Sequence, residues 1–377
     1  MKHKFILVMV GILIFLAGIF SNNLFNNNSN LDKSNEPKEI KQENTLSMMI
    51  EQTAKKGDYE FVTASSWPTD GYVLNSELSK CENGGEVAWD SDNNTVLVMG
   101  DASDKCYVYF DIYVIPTLAE HVISQFTGVQ GENGLYHHDG SMTNGINDGS
   151  YRYAGANPNN YVCFGSTDST CPTDNLYRII GVFDNQVKLI KATSLGGYKV
   201  HKENIFEWSA ASLNTSILNG SYLSGLGDYS SKIVITAWKI GKNNYANTID
   251  VVPLTSYQNE IVNPQDATTY DAKIGLMYVS DYGFAAASSA WTKKLSEYSD
   301  TTVTSKNWLY LGSKEWTISE VTTSRNYYPY VFVYIVGYVS GGALPTNTMV
   351  VRPTFYLDSS VTYVSGYGTQ SSPIVIN

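Results

Sequence analysis

Four cysteines carry the clearest chemistry in this 377-residue sequence, namely Cys81, Cys106, Cys163 and Cys171. Four cysteines allow three disulfide pairings, and the short local loops favour pairing Cys81 with Cys106 and Cys163 with Cys171. Metal binding is the competing chemistry, but it needs spacings such as CxxC or HxxxH, which are absent, and the histidines are scattered. The cysteine spacing therefore predicts two structural disulfides and neither a metal nor another cofactor.

Two loop segments contain groups that elsewhere bind cations or transfer protons. Asp90–Asn94 spaces its oxygens like the start of a calcium loop, but Thr95 stands where that loop needs glycine, so a hairpin turn is the better interpretation. His137-His138-Asp139-Gly140 can hold a metal or act as a base, yet no GxSxG nucleophile motif accompanies it. Carboxylates are numerous but unpaired in sequence, so no acid–base pair can be nominated. We therefore predict a protein that is not an enzyme.

Aromatic side chains and one arginine are the candidate ligand-binding residues. Rings that stack on sugars or on protein surfaces are expected at Trp308, Tyr310, Trp316, Tyr327, Tyr328 and Tyr330. Pro329 interrupts any strand near the last three, which favours their exposure. Arg352 is one of only four arginines and can grip an anionic ligand bidentately. The alternative is a buried arginine that satisfies loop carbonyls or one Asp.

The elements that position these residues are predicted to be mainly strands. The chain contains 28 Tyr and 30 Gly; tyrosine suits pleated, half-buried surfaces and glycine suits turns. Three β segments are predicted between Tyr72 and Phe110, with Asp90–Asn94 as a turn. A short helix is predicted over Leu46–Lys55, capped by Thr45.

The C-terminal part of the sequence combines short strands with one helix. Residues 176–183 and 186–191 have the pattern of a β-hairpin, with Asp184-Asn185 as its tight turn. Apolar residues recur with a helical period over Trp208–Leu218, and Asn219-Gly220 is the expected end of that helix. This combination predicts an α+β, β-rich domain whose loops carry its specificity.

Five motifs follow one another in this C-terminal part. They are YRIIGVFDNQVKLIKATS (177–194), WSAASLNTSILN (208–219), KIGLMYVSDYGFA (273–285), NWLYLGSKEWTIS (307–319) and the final segment from Val351-Arg352-Pro353 to Asn377. This succession resembles an uncharacterised family of exported proteins from low-GC Gram-positive bacteria. The C-terminal domain of that family is similar to the C-type-lectin-like fold shared with formylglycine-generating enzymes. The resemblance covers about Asp148 to Asn377, and YVLNSELSKCENGGEVAW and DKCYVYFD look like a companion module.

The resemblance implies an architecture more than an activity, because this fold hosts carbohydrate binders, protein receptors and oxidases. The enzymes of the fold work through a late pair of cysteines, and no cysteine follows Cys171 here. Calcium-dependent lectins have Glu-Pro-Asn or Gln-Pro-Asp loops followed by Trp-Asn-Asp. Asn263-Pro264-Gln265-Asp266 only approaches the first motif and the second is absent, so too few oxygen ligands are assured for calcium.

The amino terminus has the pattern of an export signal. Lys2, His3 and Lys4 precede an apolar run from Phe5 to Phe20, which leaves the basic end in the cytoplasm. We expect residues 1–21 to form one transmembrane helix that acts as a signal anchor, with a cleaved signal peptide as the alternative. The predicted order continues with a disordered stalk (22–44), a small disulfide-stapled antiparallel β module with a short leading helix (45–115), a connecting segment (116–147) and the C-type-lectin-like domain (148–377).

Charge restricts the partners. The net charge of −11 and the lack of a Lys/Arg cluster exclude nucleic acid. The sequence therefore predicts a protein of the cell membrane with an extracellular C-terminal part, or a secreted protein if the signal is cleaved. Its lectin-like domain is expected to bind a glycan, a wall polymer or a surface protein. The alternatives are a structural, pilin-like subunit of a surface appendage and an enzyme on the same fold.

Overall fold

The computed structural model describes residues 46–52, 55–63, 66–68, 71–101, 104–128, 131–203, 207–240, 242–265, 268–322 and 330–377. The predicted signal anchor, the stalk and Thr45 lie outside these residues. No helix within them is long and apolar enough to span a membrane. Contacts divide the chain into two compact units, the first ending at Val114 and the second running from Ile115 to Asn377.

The first unit is built from short strands. They are β1 (Leu46–Gln52), β2 (Lys55–Val62), β3 (Tyr72–Leu74), β4 (Lys80–Cys81), β5 (Glu86–Asp90), β6 (Thr95–Met99) and β7 (Cys106–Ile112). Four strands pair in the order β2-β1-β7-β3, β4 also pairs with β7, and β5 and β6 form a separate hairpin. The predicted β segments are confirmed, but the module is not wholly antiparallel, because β1 runs parallel to β7.

The predicted helix over Leu46–Lys55 is wrong, because this segment forms β1 and the start of β2. So short a helix is unstable without packing, whereas the strand finds partners on both sides. Met48 pairs with Val62 of β2 and with Val108 of β7. Its side chain packs with Val108 and Phe110 in the core of the unit. Pairing with distant strands therefore decides the local conformation.

Both predicted disulfides are confirmed. Cys81 and Cys106 are direct partners on β4 and β7, and their sulfurs are bonded. Cys163 and Cys171 close a small loop in the second unit. The first disulfide ties β4 to the strand that runs through the middle of the first sheet, so it fixes the register of this small unit.

The second unit contains more strands and several short helices. Its strands are β8 (Gly134–Asp139), β9 (Asn147–Ala154), β10 (Tyr161–Cys163), β11 (Leu176–Phe183), β12 (Gln186–Lys191), β13 (Gly197–Tyr198), β14 (Thr236–Lys239), β15 (Lys242–Asn244), β16 (Thr269–Ala272), β17 (Glu315–Thr322), β18 (Tyr330–Val333), β19 (Val339–Ala343), β20 (Met349–Val350), β21 (Thr354–Tyr356), β22 (Tyr363–Ser365) and β23 (Ile374–Ile376). Its α-helices are α1 (Leu118–Ser124), α2 (Leu223–Gly225), α3 (Tyr245–Thr248), α4 (Pro253–Tyr257), α5 (Val279–Ala285) and α6 (Thr301–Thr304). Two π-helices, π1 (Leu213–Tyr222) and π2 (Gln258–Val262), adjoin α2 and α4, and 3₁₀ turns occur at Thr173–Asn175, Trp208–Ala210, Gly227–Lys232, Ser288–Ala290 and Leu295–Glu297.

Two sheets and a ribbon organise the second unit. The larger sheet has the order β21-β12-β11-β10-β23-β22, and β9 joins it beside the end of β11 and carries β8. The other sheet has the order β13-β20-β17-β18-β19 with β15 on β17, and β14 and β16 form the ribbon. One apolar core lies between these elements and includes Ile179, Trp238, Trp316 and Phe355. The predicted α+β, β-rich class is confirmed.

The predicted hairpin over residues 176–191 is confirmed as β11 and β12. Asp184 and Asn185 at its turn have φ angles of 48° and 62°. Both lie in the left-handed region, which a two-residue type I′ turn requires and which Asp and Asn tolerate better than other side chains. The turn therefore sets the register that brings the side chains of β12 into the core.

The predicted helix over Trp208–Leu218 is present only in part. Trp208–Ala210 is a 3₁₀ turn, and the longer helix π1 begins at Leu213 and continues into α2. Asn219 lies inside this helix and does not end it. Its side chain donates to the carbonyl of Ile274 (2.9 Å) and accepts from the N–H of Ile274 (2.9 Å). A contact with another part of the chain thus replaces the expected cap.

Residues 116–147, expected as a connecting segment, instead supply a helix and a strand of the second unit. Thr117 and Glu120 form a capping box at the start of α1, since each side chain bonds the backbone N–H of the other. Leu118 and Val122 of α1 lie in the core. β8 pairs with β9 over most of its length. The second unit therefore begins well before Asp148.

Removing the first disulfide tests its role in the small unit. Replacing Cys81 and Cys106 together by Ala is expected to destabilise this unit by about 3 kcal/mol, because the unfolded chain is no longer closed into a loop. Hydrogen exchange read by mass spectrometry should then show lost protection of the amides in β1 and β7. The matched variant without Cys163 and Cys171 should keep that protection. Equal exchange of β1 and β7 in all three proteins contradicts the prediction.

Candidate functional site

Several aromatic residues predicted to stack on a ligand lie in the core instead. Trp308, Trp316 and Tyr330 are at most 5% exposed. The indole N–H groups of the two tryptophans donate to the carbonyls of Tyr153 (2.8 Å) and Tyr198 (2.9 Å). Trp316 lies on β17 and Tyr330 on β18. Both strands are buried on both faces, so alternation along the strand exposes neither of these two rings. These three side chains therefore stabilise the fold and offer no surface to a ligand.

The remaining predicted aromatic residues have different positions. Tyr310 is half-buried, and its hydroxyl donates to the carbonyl of Ile335 at 2.7 Å. Tyr327 and Tyr328 lie outside the described residues. Stacking on a ligand stays a prediction for these two residues.

Arg352 has the role that the alternative interpretation gave it, with Glu315 as the acid in place of an Asp. Its Nε and Nη2 donate to the two carboxylate oxygens of Glu315 at 2.7 Å and 2.9 Å, and Nη2 also donates to the carbonyl of Leu309 at 2.7 Å. Both side chains are buried. Burial raises the pKa of Glu315 by more than Arg352 lowers it. The arginine is therefore internally satisfied and does not face a ligand.

The best candidate for a ligand site centres on Arg152 of β9. Side chains at alternate positions of a strand share a face, and β9 carries Asp148, Ser150 and Arg152 on one face. Nη2 of Arg152 donates to Oδ2 of Asp148 and its Nε to Oγ of Ser150, both at 2.9 Å. The Arg152 side chain is 4% exposed and that of Asp148 is 20% exposed. The ion pair therefore reaches from the interior toward the surface.

A second ion pair continues the first into the core. Lys188 of β12 donates through Nζ to Oδ2 of Asp281 at 2.6 Å. Oδ1 of the same Asp281 lies 3.7 Å from Nη1 of Arg152. Asp148, Arg152, Asp281 and Lys188 thus form an alternating charge chain, in which each inner charge has an opposite charge on both sides. Its formal charges sum to zero.

Aromatic rings form the walls around this alternating charge chain. The guanidinium carbon of Arg152 lies 4.5 Å from the ring centre of Phe183 and 5.4 Å from that of Tyr257. Nζ of Lys188 lies 4.7 Å from the ring centre of Tyr278 and 5.3 Å from that of Tyr356. Cations at these distances are attracted by ring faces. The rings therefore stabilise the two cations and exclude water from them.

An open cleft lies over the charge chain, as two adjoining hollows. The outer hollow has a volume of about 300 Å³ and is lined by Asp148, Phe183, Asp184, Gln186, Tyr257 and other residues. The inner hollow has a volume of about 160 Å³, and Arg152, Lys188 and Asp281 line it. Phe183, Thr236, Tyr257 and Tyr356 border both hollows. Concave sites that combine rings with a few converging polar groups are typical ligand sites.

The ionisation of the cleft residues follows from their contacts. Burial raises the pKa of Asp148, but Arg152 and Ser150 together bring it below its ordinary value. Burial lowers the pKa of Lys188, but Asp281 and Tyr356 more than offset this effect, so the pKa is raised. Burial and then Asp148 raise the pKa of Tyr257, whose hydroxyl donates to Asp148 at 3.0 Å. At neutral pH Asp148 and Lys188 are therefore ionised, and Tyr257 is a neutral donor.

A buried carboxyl group lies behind the cleft. Glu260 of π2 accepts the N–H of Ser280 at 2.9 Å and the hydroxyl of Ser319 at 2.6 Å. Burial raises its pKa from 4.5 to about 7, although both serine contacts lower it. π2 directly continues α4, whose last residue is Tyr257 in the cleft wall. The protonation of Glu260 is thus linked to the helix that shapes the cleft.

The other polar candidates from the sequence have structural roles. Nδ1 of His138 accepts the N–H of Ile146 at 3.0 Å, and burial followed by the charge of Arg152 lowers its pKa to about 3. It is therefore neutral and no base near neutral pH. The carboxylate of Asp90 accepts the N–H groups of Asp92 (3.0 Å) and Asn93 (3.2 Å), which is the arrangement of a turn.

One group of metal-ligand types lies close together among the described residues, namely Cys81, Asp104 and Cys106. The disulfide uses both sulfurs. The carboxylate of Asp104 accepts the N–H groups of Asn83 (3.0 Å) and Gly85 (3.4 Å). This group is therefore a structural corner of the first unit and not a metal centre.

Sequence reasoning missed the whole charge chain. Its members come from β9, β12 and α5, which are far apart in the sequence, so no sequence spacing pairs their charges. One local signal was available, because Asp148, Ser150 and Arg152 place polar groups on one face of a strand. A polar face on a strand next to apolar β11 requires buried partners of opposite charge.

Comparison of this chain with models of protein families, with curated proteins and with solved structures finds no match. The resemblance to the exported lectin-like family therefore stays a prediction.

The stability of the second unit should depend on pH through Glu260. Its pKa is about 7 in the fold against an ordinary 4.5. Between these values the folded state binds more protons than the unfolded state, so the free energy of unfolding falls as the pH rises. Glu260→Gln imitates the protonated acid and removes this loss. The free energy of unfolding of this variant relative to that of wild type should therefore increase by about 3 kcal/mol from low to neutral pH.

Urea unfolding over a pH series measures this difference. The exposed Glu203→Gln is the matched control and should follow wild type at every pH. A difference between Glu260→Gln and wild type that does not change with pH would show that Glu260 ionises normally in the fold.

Proposed function

We propose that the protein is a membrane-tethered binding protein of the cell surface, and that its lectin-like second unit holds a neutral glycan in the cleft over Arg152. The observation that supports this most strongly is the pairing of every charge in the alternating charge chain beneath an aromatic wall. A site of this kind is rigid, polar and neutral overall. Those properties suit a ligand that offers hydroxyl groups and apolar ring faces.

The hydrogen bonds of the cleft favour a neutral ligand over an ionic one. Asp148 accepts from the N–H and hydroxyl of Ser150, from Arg152 and from Tyr257, which fills the usual capacity of a carboxylate. An ionic ligand would displace one of these partners and leave a desolvated charge unpaired, which costs several kcal/mol. A neutral ligand leaves the chain intact.

Other groups of the cleft have capacity left for hydroxyl groups. Oγ1 of Thr236, which borders both hollows, is buried and has no hydrogen-bond partner in the described part of the chain. The side chains of Asp184 and Gln186 lie at the mouth, where they can accept and donate. Phe183 and Tyr257 offer rings to the C–H faces of a sugar. Together these groups fit a glycan unit.

The surface location rests on two further observations. Disulfides persist in oxidising, extracellular surroundings, and both cysteine pairs of this chain are bonded. The basic and apolar pattern of Lys2 to Phe20 is typical of an export signal. Both support a protein that acts outside the cytoplasm and is tethered by its amino-terminal apolar segment.

Binding of the purified, oxidised full chain to an array of neutral glycans, anionic glycans and wall polymers tests the proposal. We expect saturable binding to a neutral glycan, with and without a chelator. Tyr257→Ala should weaken this binding about tenfold, because it removes a wall of the cleft. Thr236→Val keeps the shape but removes a free hydroxyl, and it should weaken binding less.

Tyr367→Ala is the matched control, because Tyr367 is 81% exposed and does not line the cleft. It should bind like wild type. Absence of binding of a folded sample to every neutral glycan would contradict the proposal. So would binding that Tyr257→Ala and Thr236→Val leave unchanged, or a preference for anionic polymers.

A further inference from the structure

We propose that Lys188 and Asp281 react with each other to form an intramolecular isopeptide bond, an amide between their side chains. This covalent cross-link goes beyond the proposed binding function. It would remove both charges of the inner pair together, so Asp148 and Arg152 stay paired and the cleft stays neutral overall. Nζ of Lys188 is hydrogen-bonded at 2.6 Å to the carboxyl group that it would attack, although the two residues are 93 positions apart. The fold therefore holds the nucleophile and its target together permanently, which removes most of the entropic barrier.

The pair is almost fully buried and touches only the inner hollow of the cleft. The side chains of Lys188 and Asp281 are 1% and 3% exposed. Four rings surround Nζ with their centres between 4.7 Å and 5.7 Å away, those of Phe183, Trp238, Tyr278 and Tyr356. Exclusion of bulk water favours condensation over hydrolysis and keeps competing nucleophiles away.

The ion pair can reach its reactive form by moving one proton. Transfer from Nζ to Oδ2 across the hydrogen bond gives an amine and a carboxylic acid, and apolar surroundings favour such neutral forms over charges. Against the effect of burial, Asp281 and Tyr356 hold the proton on Lys188 and raise its pKa, so the neutral pair is a minor form, and formation of the amide removes it from the equilibrium.

The surroundings of the carboxyl group are arranged for attack on its carbon. The backbone N–H of Tyr278 donates to Oδ2 of Asp281 at 2.8 Å. Nη1 of Arg152 faces Oδ1 on the other side. The negative charge of the tetrahedral intermediate builds on Oδ1, where the positive charge of Arg152 stabilises it, while the N–H of Tyr278 holds Oδ2, the oxygen that leaves, in place.

The reaction balances without any co-reactant. The lone pair of Nζ of Lys188 attacks Cγ of Asp281, and the N–C bond forms. The Cγ–Oδ2 bond then breaks, and Oδ2 leaves as water with the acid proton and one proton of the amine. Oδ1 remains as the amide oxygen, and nothing is oxidised or reduced. Both residues line the inner hollow, which gives the water a way out.

Mass spectrometry of the purified full chain tests this inference. After reduction of the disulfides, proteolysis should release a branched peptide that contains both Lys188 and Asp281 and is lighter by one water than its two parts. Lys188→Arg keeps the positive charge but cannot form the amide, so it should yield only linear peptides.

The branched peptide distinguishes the amide from another modification that loses water. A succinimide at Asp281 also loses one water, but its peptides stay linear and are not joined to Lys188. The branched peptide, and not the intact mass, is therefore the deciding observation, and processing of the amino terminus does not affect it. Linear peptides with unmodified Lys188 and Asp281 from folded wild type would overturn the proposal.

Discussion

The second unit depends on the compensation of four buried or half-buried charges. Asp148, Arg152, Asp281 and Lys188 alternate in sign along one line, with contacts of 2.9, 3.7 and 2.6 Å between neighbours. A charge taken from water into a protein interior loses several kcal/mol of hydration and regains it only beside opposite charge. Loss of Arg152 would take the ion-pair partner from Asp148, and loss of Asp281 would take it from Lys188. This constraint fixes β9, β12 and α5 relative to one another.

The same constraint shapes the cleft. Asp281 pairs with Lys188 and also accepts the N–H of Tyr278, so one carboxylate belongs to the charge chain and caps α5. Glu260 accepts the N–H of Ser280, two residues further along α5, and connects α5 to π2 and hence to Tyr257. The wall and the floor of the cleft are thus parts of one hydrogen-bonded network. Networks of this kind hold a binding site in a single conformation.

Features that depend on local chemistry could be predicted from the sequence. The hairpin over 176–191 follows from Asp184-Asn185, because these residues tolerate the left-handed turn that it requires. Features that depend on distant partners could not be predicted. The segment 46–52 became a strand through pairing with β2 and β7, and Trp316 became a core residue because β17 is covered on both faces. The cleft brings together residues from segments that no local pattern connects.

A double-mutant cycle on Asp148 and Arg152 tests most directly whether the alternating charge chain organises the second unit. Asp148→Asn, Arg152→Met and the double variant are compared with wild type by denaturant unfolding. The account predicts a coupling free energy above about 1 kcal/mol. The pair of Lys293 and Asp300 serves as reference, because its contact is 2.7 Å but its side chains are 38% and 41% exposed, and such pairs couple by about 0.5 kcal/mol or less. Equal coupling in the two pairs would contradict the account.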